Sequence, residues 1–256
     1  MIYFQGFCVV LGGFIISLVI NYLADVLPIY RKLVKPKCTS CDQPINWLDY
    51  FSGKRCRKCG RKIKIRYWTI LVVCPILALI IWLFPPSHLP FPIAMILLAY
   101  LALIAIIDLE HRLILHITSL AGAILCLPIG ILWTNNQGNW GQAIGNTLIG
   151  GAAGFGILFG LYMLGIGFTK LMSKMRNQTI EEEAMGFGDV TLAGVLGLLL
   201  GWPKIAINII GTIILAGIFS LLFILVRLIM KKYQAFQPIP YGPFLIIIAA
   251  LLIYSA

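Results

Sequence analysis

Eight runs of apolar residues, separated by short polar stretches, leave few folds open to this chain. They extend from about Phe7 to Leu27, Trp68 to Phe84, Phe91 to Asp108, Leu115 to Trp133, Ala143 to Phe168, Asp189 to Leu200, Ile205 to Met230 and Tyr241 to Tyr254. A helix rises about 1.5 Å per residue, so about 20 apolar residues cross the hydrocarbon of a bilayer, about 30 Å thick. Inside that layer every backbone N–H and C=O must find a partner within the chain, which restricts spanning segments to helices or closed barrels. The runs are continuous and do not alternate, which selects helices. With 60% hydrophobic and 11% charged residues, a soluble globular fold is excluded. The predicted fold class is an all-α polytopic membrane protein of about eight transmembrane helices. The sixth and eighth runs are short, so they are expected to be tilted, re-entrant or shielded by neighbours. The first run lacks a small-residue cleavage motif and is expected to be a retained helix, not a removed signal.

The net charge of +11 bears first on topology. Of the 20 Lys and Arg, 12 fall between Arg31 and Arg66. With the N-terminus outside and eight alternating spans, 19 of the 20 lie on one side and Lys204 alone on the other. The positive-inside rule makes the crowded side the cytosol. Asp108 then ends the third span and Asp189 begins the sixth at that same side, so the two carboxylates share a depth.

Between Pro28 and Tyr67 the composition changes to Lys, Arg, Cys and Pro, in an insert too short for a core of its own. Cys38-x-x-Cys41 and Cys56-x-x-Cys59 are separated by 14 residues, close to the spacing of a four-cysteine zinc ribbon. Four thiolates complete a tetrahedral ion and leave no position for water, so the predicted role is a structural zinc that folds the insert. The surrounding cations are read as setting orientation and attracting anionic lipid headgroups; nucleic acid is not expected as a partner. Cys8, Cys74 and Cys126 lie in apolar runs and are expected to be buried and inert.

Ionisable residues at the edge of hydrocarbon are costly unless paired, neutral or functional. Asp189 follows Met185-Gly186-Phe187-Gly188, and glycine at 186 and 188 lets the backbone turn and another element approach closely. Asp108 offers a partner carboxyl. Two aspartates at one depth can share a proton, one activating water and the other donating to the carbonyl under attack, which suits peptide hydrolysis. Gly150, Gly151, Gly154, Gly156 and Gly160 in the fifth run read as a helix-packing face. Pro240, Gly242 and Pro243 force a turn at the mouth of the last span. Asp25, near the end of the first span, is expected to pair with the insert's cations.

Several stretches together resemble the type IV prepilin peptidases, membrane aspartic proteases of the Gly-x-Gly-Asp class. They are Asp108-Leu109-Glu110-His111-Arg112-Leu113-Ile114, Glu183-Ala184-Met185-Gly186-Phe187-Gly188-Asp189-Val190, the two cysteine knuckles, and Ile239-Pro240-Tyr241-Gly242-Pro243-Phe244-Leu245. They run in the family's order over nearly the whole chain. The resemblance implies that Asp108 and Asp189 form the catalytic pair, with Gly186, Gly188, Pro240 and Gly242 shaping the site. It implies prepilin or pseudopilin substrates, whose short basic leader is removed at the cytosolic face of a bacterial inner membrane. It also implies an optional methylation of the new N-terminus with S-adenosylmethionine, an activity of the N-terminal cytosolic part. The expected divisions are a first transmembrane helix at 1–28, the zinc insert at 29–67 and the peptidase region at 68–256. Nothing in the sequence sets an oligomeric state.

Departures from the family pattern are uneven. Leu115-His116 stand where Pro and then Asp or Asn are usual, and Thr191 stands where Lys is usual; neither removes a carboxylate. In the N-terminal part Val26 replaces an Arg, the loop from Asp42 to Arg55 is shortened, and Trp68 and Leu71 replace a Pro and a Glu. The sequence therefore supports cleavage more strongly than methyl transfer. A silent scaffold and a proton-coupled transporter are the competing readings. Retention of both aspartates argues against the first, and the zinc ribbon and lack of repeated halves against the second.

Overall fold

The computed structural model describes residues 2–254 apart from 39, 61–63, 87, 136–137, 177–185 and 231–239. Met185, the acidic stretch with Glu181 to Glu183, and Lys231 and Lys232 lie outside the described residues. The described residues form α1 (Ile2–Tyr30), α2 (Trp47–Phe51), α3 (Ile65–Leu83), α4 (Phe91–His111), α5 (His116–Thr134), α6 (Trp140–Arg176), α7 (Phe187–Leu200), α8 (Lys204–Ile229) and α9 (Gly242–Tyr254). Six of these are long and apolar enough to cross a membrane, and α7 and α9 are the shorter apolar helices. The chain is an all-α, multi-pass membrane protein with a small cysteine-bearing insert.

Two compact units divide at Ile107 and Asp108. In the first, Ile20 of α1 packs with Ile70 and Cys74 of α3, and Ala99, Leu103 and Ile106 of α4 lie against them. Close approach depends on Gly13, where a methyl group would stand 2.7 Å from the Pro75 backbone. The insert is tied to α1 and α3 through α2. Tyr22, Trp47, Tyr50, Phe51, Tyr67 and Trp68 form a chain of ring contacts at 4.9–6.5 Å. Asp25 sits at its base: the Tyr50 hydroxyl donates to it at 2.6 Å, and Arg66 meets its other oxygen at 2.5 Å. The expected pairing of Asp25 with an insert cation is thus present, and its partner is Arg66, in the first turn of α3. Cys74 is buried as expected, but Cys8 is exposed. A lipid-facing helix surface is apolar without being covered by protein, so hydrophobicity along α1 does not imply burial in the chain.

In the second unit α7 is the buried centre, packed against α5, α6, α8 and α9. Its 14 residues reach about 21 Å, and nine of them, from Asp189 to Leu200, are buried. The short sixth run is therefore shielded by neighbours. Three of the expected glycines make this possible. A methyl on Gly150 would stand 2.5 Å from the Gly197 carbonyl, one on Gly151 would stand 2.5 Å from Leu198, and one on Gly154 would overlap the Ala193 carbonyl. Gly156 and Gly160 meet nothing within 4 Å and do not belong to the face, since at 3.6 residues per turn they point away from Gly150 and Gly154. Asn208 of α8, fully buried, donates to the Leu245 carbonyl of α9 at 3.1 Å, an interhelical tie of the kind that holds helices together in lipid.

Candidate functional site

Asp108 lies in the last turn of α4 and is 5% exposed; Asp189, in the first turn of α7, is 8% exposed. Each is set by local backbone geometry. Arg112, at φ 50°, returns its N–H to the Asp108 carbonyl at 2.8 Å and closes α4, as a left-handed residue does at a helix C-terminus. Gly186 is the extended residue before α7, and its carbonyl accepts the Asp189 N–H at 3.1 Å. The Asp189 carboxyl turns back toward the Gly186 N–H, half of a capping box. At Gly188 a methyl group would stand 2.8 Å from the Ile114 side chain, so the loop after α4 and the start of α7 touch only because position 188 has no Cβ.

Leu115 has φ −75°, a value proline also adopts, so the turn into α5 would accommodate a proline φ. Thr191 donates to the Gly188 carbonyl at 2.8 Å and lies 3.3 Å from the Ser119 hydroxyl. It ties the first turn of α7 to itself and to α5.

The two carboxyl groups meet at the start of α9. A methyl group on Gly242 would fall 2.5 Å from Asp108 Oδ2 and 3.5 Å from Asp189 Oδ1, which holds those oxygens within about 6 Å of each other. The Gly242 N–H lies against the Asp108 carboxyl. Pro240, half-buried, precedes this approach. Tyr241 is the residue that the reading of the sequence passed over: its hydroxyl is buried, and the charge of Asp189 acts on it. Glu110 lies 3.7 Å from His111. Paired carboxyls in ground that excludes water can hold one proton between them and work as acid and base together.

The cysteines form a separate cluster in the first unit. The two knuckles repeat one geometry, with Asp42 N–H returning to the Cys38 carbonyl and Gly60 N–H to the Cys56 carbonyl, both at 2.9 Å. Asp42 and Gly60 both take positive φ. A third latch joins the first knuckle to α1, where the Tyr30 hydroxyl donates to Asp42 and Lys37 stands 3.6 Å from it. The four Sγ atoms lie within 4.8 Å of one another, with Cys38 to Cys59 at 3.5 Å and Cys41 to Cys56 at 3.6 Å. Four sulfurs around zinc at about 2.3 Å stand about 3.8 Å apart, so the cluster fits that ion. The N–H groups of Cys59 and Lys58 pull the Cys56 thiol down to about 6. The Gln43 N–H pulls Cys41 down, yet burial and the facing sulfurs push it up to about 12. Four cysteine sulfurs at this range could hold a metal ion among them, and binding it would release their protons.

Residues 95–225 match the type IV leader peptidase family, and residues 8–84 match the bacterial peptidase A24 N-terminal domain. A prepilin leader peptidase/N-methyltransferase of Aeromonas salmonicida (strain A449) is 29% identical over 221 residues, covering 82% of this chain and 67% of that protein. The same-named protein of Stutzerimonas stutzeri is 30% identical over 225 residues, covering 82% and 68%. That of Klebsiella pneumoniae is 30% identical over 178 residues, covering 66% and 69%. No solved structure matches the chain. With more than half of its length matched by that family, and a relative at 30% identity covered over two thirds, the chain belongs to the type IV leader peptidases.

Proposed function

We propose that Asp108 and Asp189 are the catalytic pair of a membrane aspartic endopeptidase that removes the short basic leader from prepilin or pseudopilin substrates. The observation that carries this reading is the approach of two buried carboxyl groups to the one point where a methyl group on Gly242 would stand. In the one-proton state the ionised carboxyl takes a proton from water as it attacks the peptide carbonyl, and the neutral one donates to the carbonyl oxygen. Gly186 and Gly188 let α7 start where it does, Gly242 leaves the space beside the carboxyls clear, and Pro240 helps shape the turn that brings it there. The insert, 29–67, is held by structural zinc on Cys38, Cys41, Cys56 and Cys59, and 68–256 is the peptidase region. The charge distribution supports an inner-membrane protein with the insert and both aspartates on the cytosolic side.

Gly242 supplies one test. Gly242→Ala brings a methyl group to 2.5 Å from Asp108 Oδ2, so α9 or the carboxyl must shift. A displacement near 1 Å at reacting groups costs roughly 100-fold in turnover. An alanine variant cleaving at the wild-type rate would show that the gap beside Asp108 is not used.

The direct test of the function is co-expression with candidate prepilins from the same genome, with product N-termini read by mass spectrometry. Cleavage before the hydrophobic N-terminal helix is expected, and it is expected to proceed without S-adenosylmethionine. Unprocessed substrate beside well-folded protein would overturn the reading. Methyl transfer needs a cofactor pocket and a route for the amine proton, and in this chain Leu71 stands where the family carries Glu. Cleaved product that gains about 14 Da only when S-adenosylmethionine is present, as methyl transfer to the freed amine requires, would show the shortened insert to be competent.

A further inference from the structure

Among the described residues, the side-chain oxygens buried with no hydrogen-bond partner are Asn21 Oδ1, Asp108 Oδ2, Asn135 Oδ1, Asn208 Oδ1 and the Tyr241 hydroxyl. Asn21 and Asn208 use their amide nitrogens on the Tyr67 and Leu245 carbonyls, and Asn135 follows the last turn of α5. Tyr241 differs from all of them. Its hydroxyl is a donor, and a buried donor without an acceptor is uncommon because nothing offsets its lost hydration. Its backbone is fixed, since its carbonyl accepts the Phe244 and Leu245 N–H groups at 3.1 and 3.4 Å. It is bonded directly to Gly242, whose α carbon lies beside both carboxyls, and the charge of Asp189 reaches its phenol. A buried donor without an acceptor, on the residue next to the glycine that both carboxyls approach, fits a group whose partner arrives with the substrate.

We propose that the Tyr241 hydroxyl donates a hydrogen bond to the carbonyl oxygen of the scissile peptide and stabilises the charge that grows there. This rests on Asp108 and Asp189 being the working pair. Water adds to the carbonyl carbon and its proton passes to the ionised carboxyl. The carbonyl oxygen receives the proton of the neutral carboxyl while the phenol donates to it and keeps its own proton. On collapse the C–N bond breaks, the first carboxyl returns its proton to the leaving amine, and the diol proton restores the second. The phenol enters and leaves the cycle unchanged, so its contribution is electrostatic.

Steady-state cleavage of a prepilin by the purified full-length protein tests this. Tyr241→Phe keeps the ring and removes the donor. It is expected to lower kcat roughly 100-fold with KM within about twofold of wild type. The thermal midpoint should stay level or rise, because the group removed had no partner to lose. A Phe variant with kcat within about threefold of wild type overturns the proposal, since removal of a transition-state donor must appear in kcat. A lowered midpoint also overturns it, because the hydroxyl would then be a structural group. Tyr241→Leu controls for the ring: an inactive Leu variant beside a fully active Phe variant assigns packing alone to this position. Asp108→Asn in the same assay separates the two readings. If it retains turnover, the paired-carboxyl mechanism fails and takes the tyrosine's role with it. If it is silent while Tyr241→Phe runs at full rate, only the tyrosine's role is lost.

Discussion

Asp108→Asn and Asp189→Asn should each lower leader cleavage by roughly 1,000-fold or more, since each removes one half of the proposed acid–base pair. The substitutions are isosteric, so the helices that carry them need not move. Asn at 108 keeps an acceptor for the Gly242 N–H, which lies against that side chain, and Asn at 189 keeps one for the Gly186 N–H. Two acidic groups in buried ground raise the energy of the folded chain through desolvation and mutual repulsion, and an amide relieves both. Thermal stability should therefore stay level or increase while turnover collapses, as expected where a site is tuned for chemistry. Cleavage by purified protein, read with unfolding followed in parallel, checks both signs. Either variant working at near-normal rate would sink the assignment. A large fall in stability would mean that the carboxylate served the fold.

The second large effect lies in the cysteine cluster. Purified protein should carry about one zinc per chain, and Cys38→Ser or Cys59→Ser should reduce that to near zero, because a missing thiolate opens a closed four-sulfur site. Structural zinc contributes about 10–16 kcal/mol in small zinc-finger peptides, more than an insert of this size obtains from its core. Loss of the ion should leave the segment between Arg31 and Arg66 open to proteolysis. The ties through Tyr50, Arg66 and Asp25 should keep part of α2 against α1. Metal analysis and limited proteolysis test this together. Zinc-free wild-type protein with four freely labelled thiols would end the structural-zinc reading.

Hydropathy alone announced the long helices, since continuous apolar runs leave no other way to satisfy backbone groups in lipid. It also marked α7 and α9 as unable to cross without shelter. The cysteine spacing announced a cluster that four sulfurs now form within 4.8 Å. Other features were hidden for identifiable reasons. Gly242 approaches Asp108 across most of the peptidase region, and no local pattern encodes such a contact; only the family likeness drew attention to it. Nothing in the sequence sets Tyr241 apart, since tyrosine is common at the mouth of a span, and only burial without a partner separates it from that background. Asn208 was visible as an amide in an Ile-rich run, and the cost of a lone polar group in hydrocarbon could have flagged it. Applying helical periodicity strictly would have removed Gly156 and Gly160 from the packing face. Exposure of Cys8 follows from lipid, not protein, covering that side of α1.

The contact between α6 and α7 has a consequence for how this gene can drift. Gly150, Gly154 and Gly197 meet a facing main chain directly, with no space for a methyl group. A single base change in the first two positions of a glycine codon yields only larger residues, beginning with alanine and serine. Each would force apart the helix that carries Asp189 and the helix that supports it. Apart from silent third-position changes, these codons have no harmless neighbours, so the residues should stay glycine over long divergence although they carry no side chain to take part in chemistry. Variation should instead collect at Gly156 and Gly160, a turn or two away on the same helix, where an added methyl group meets nothing within 4 Å.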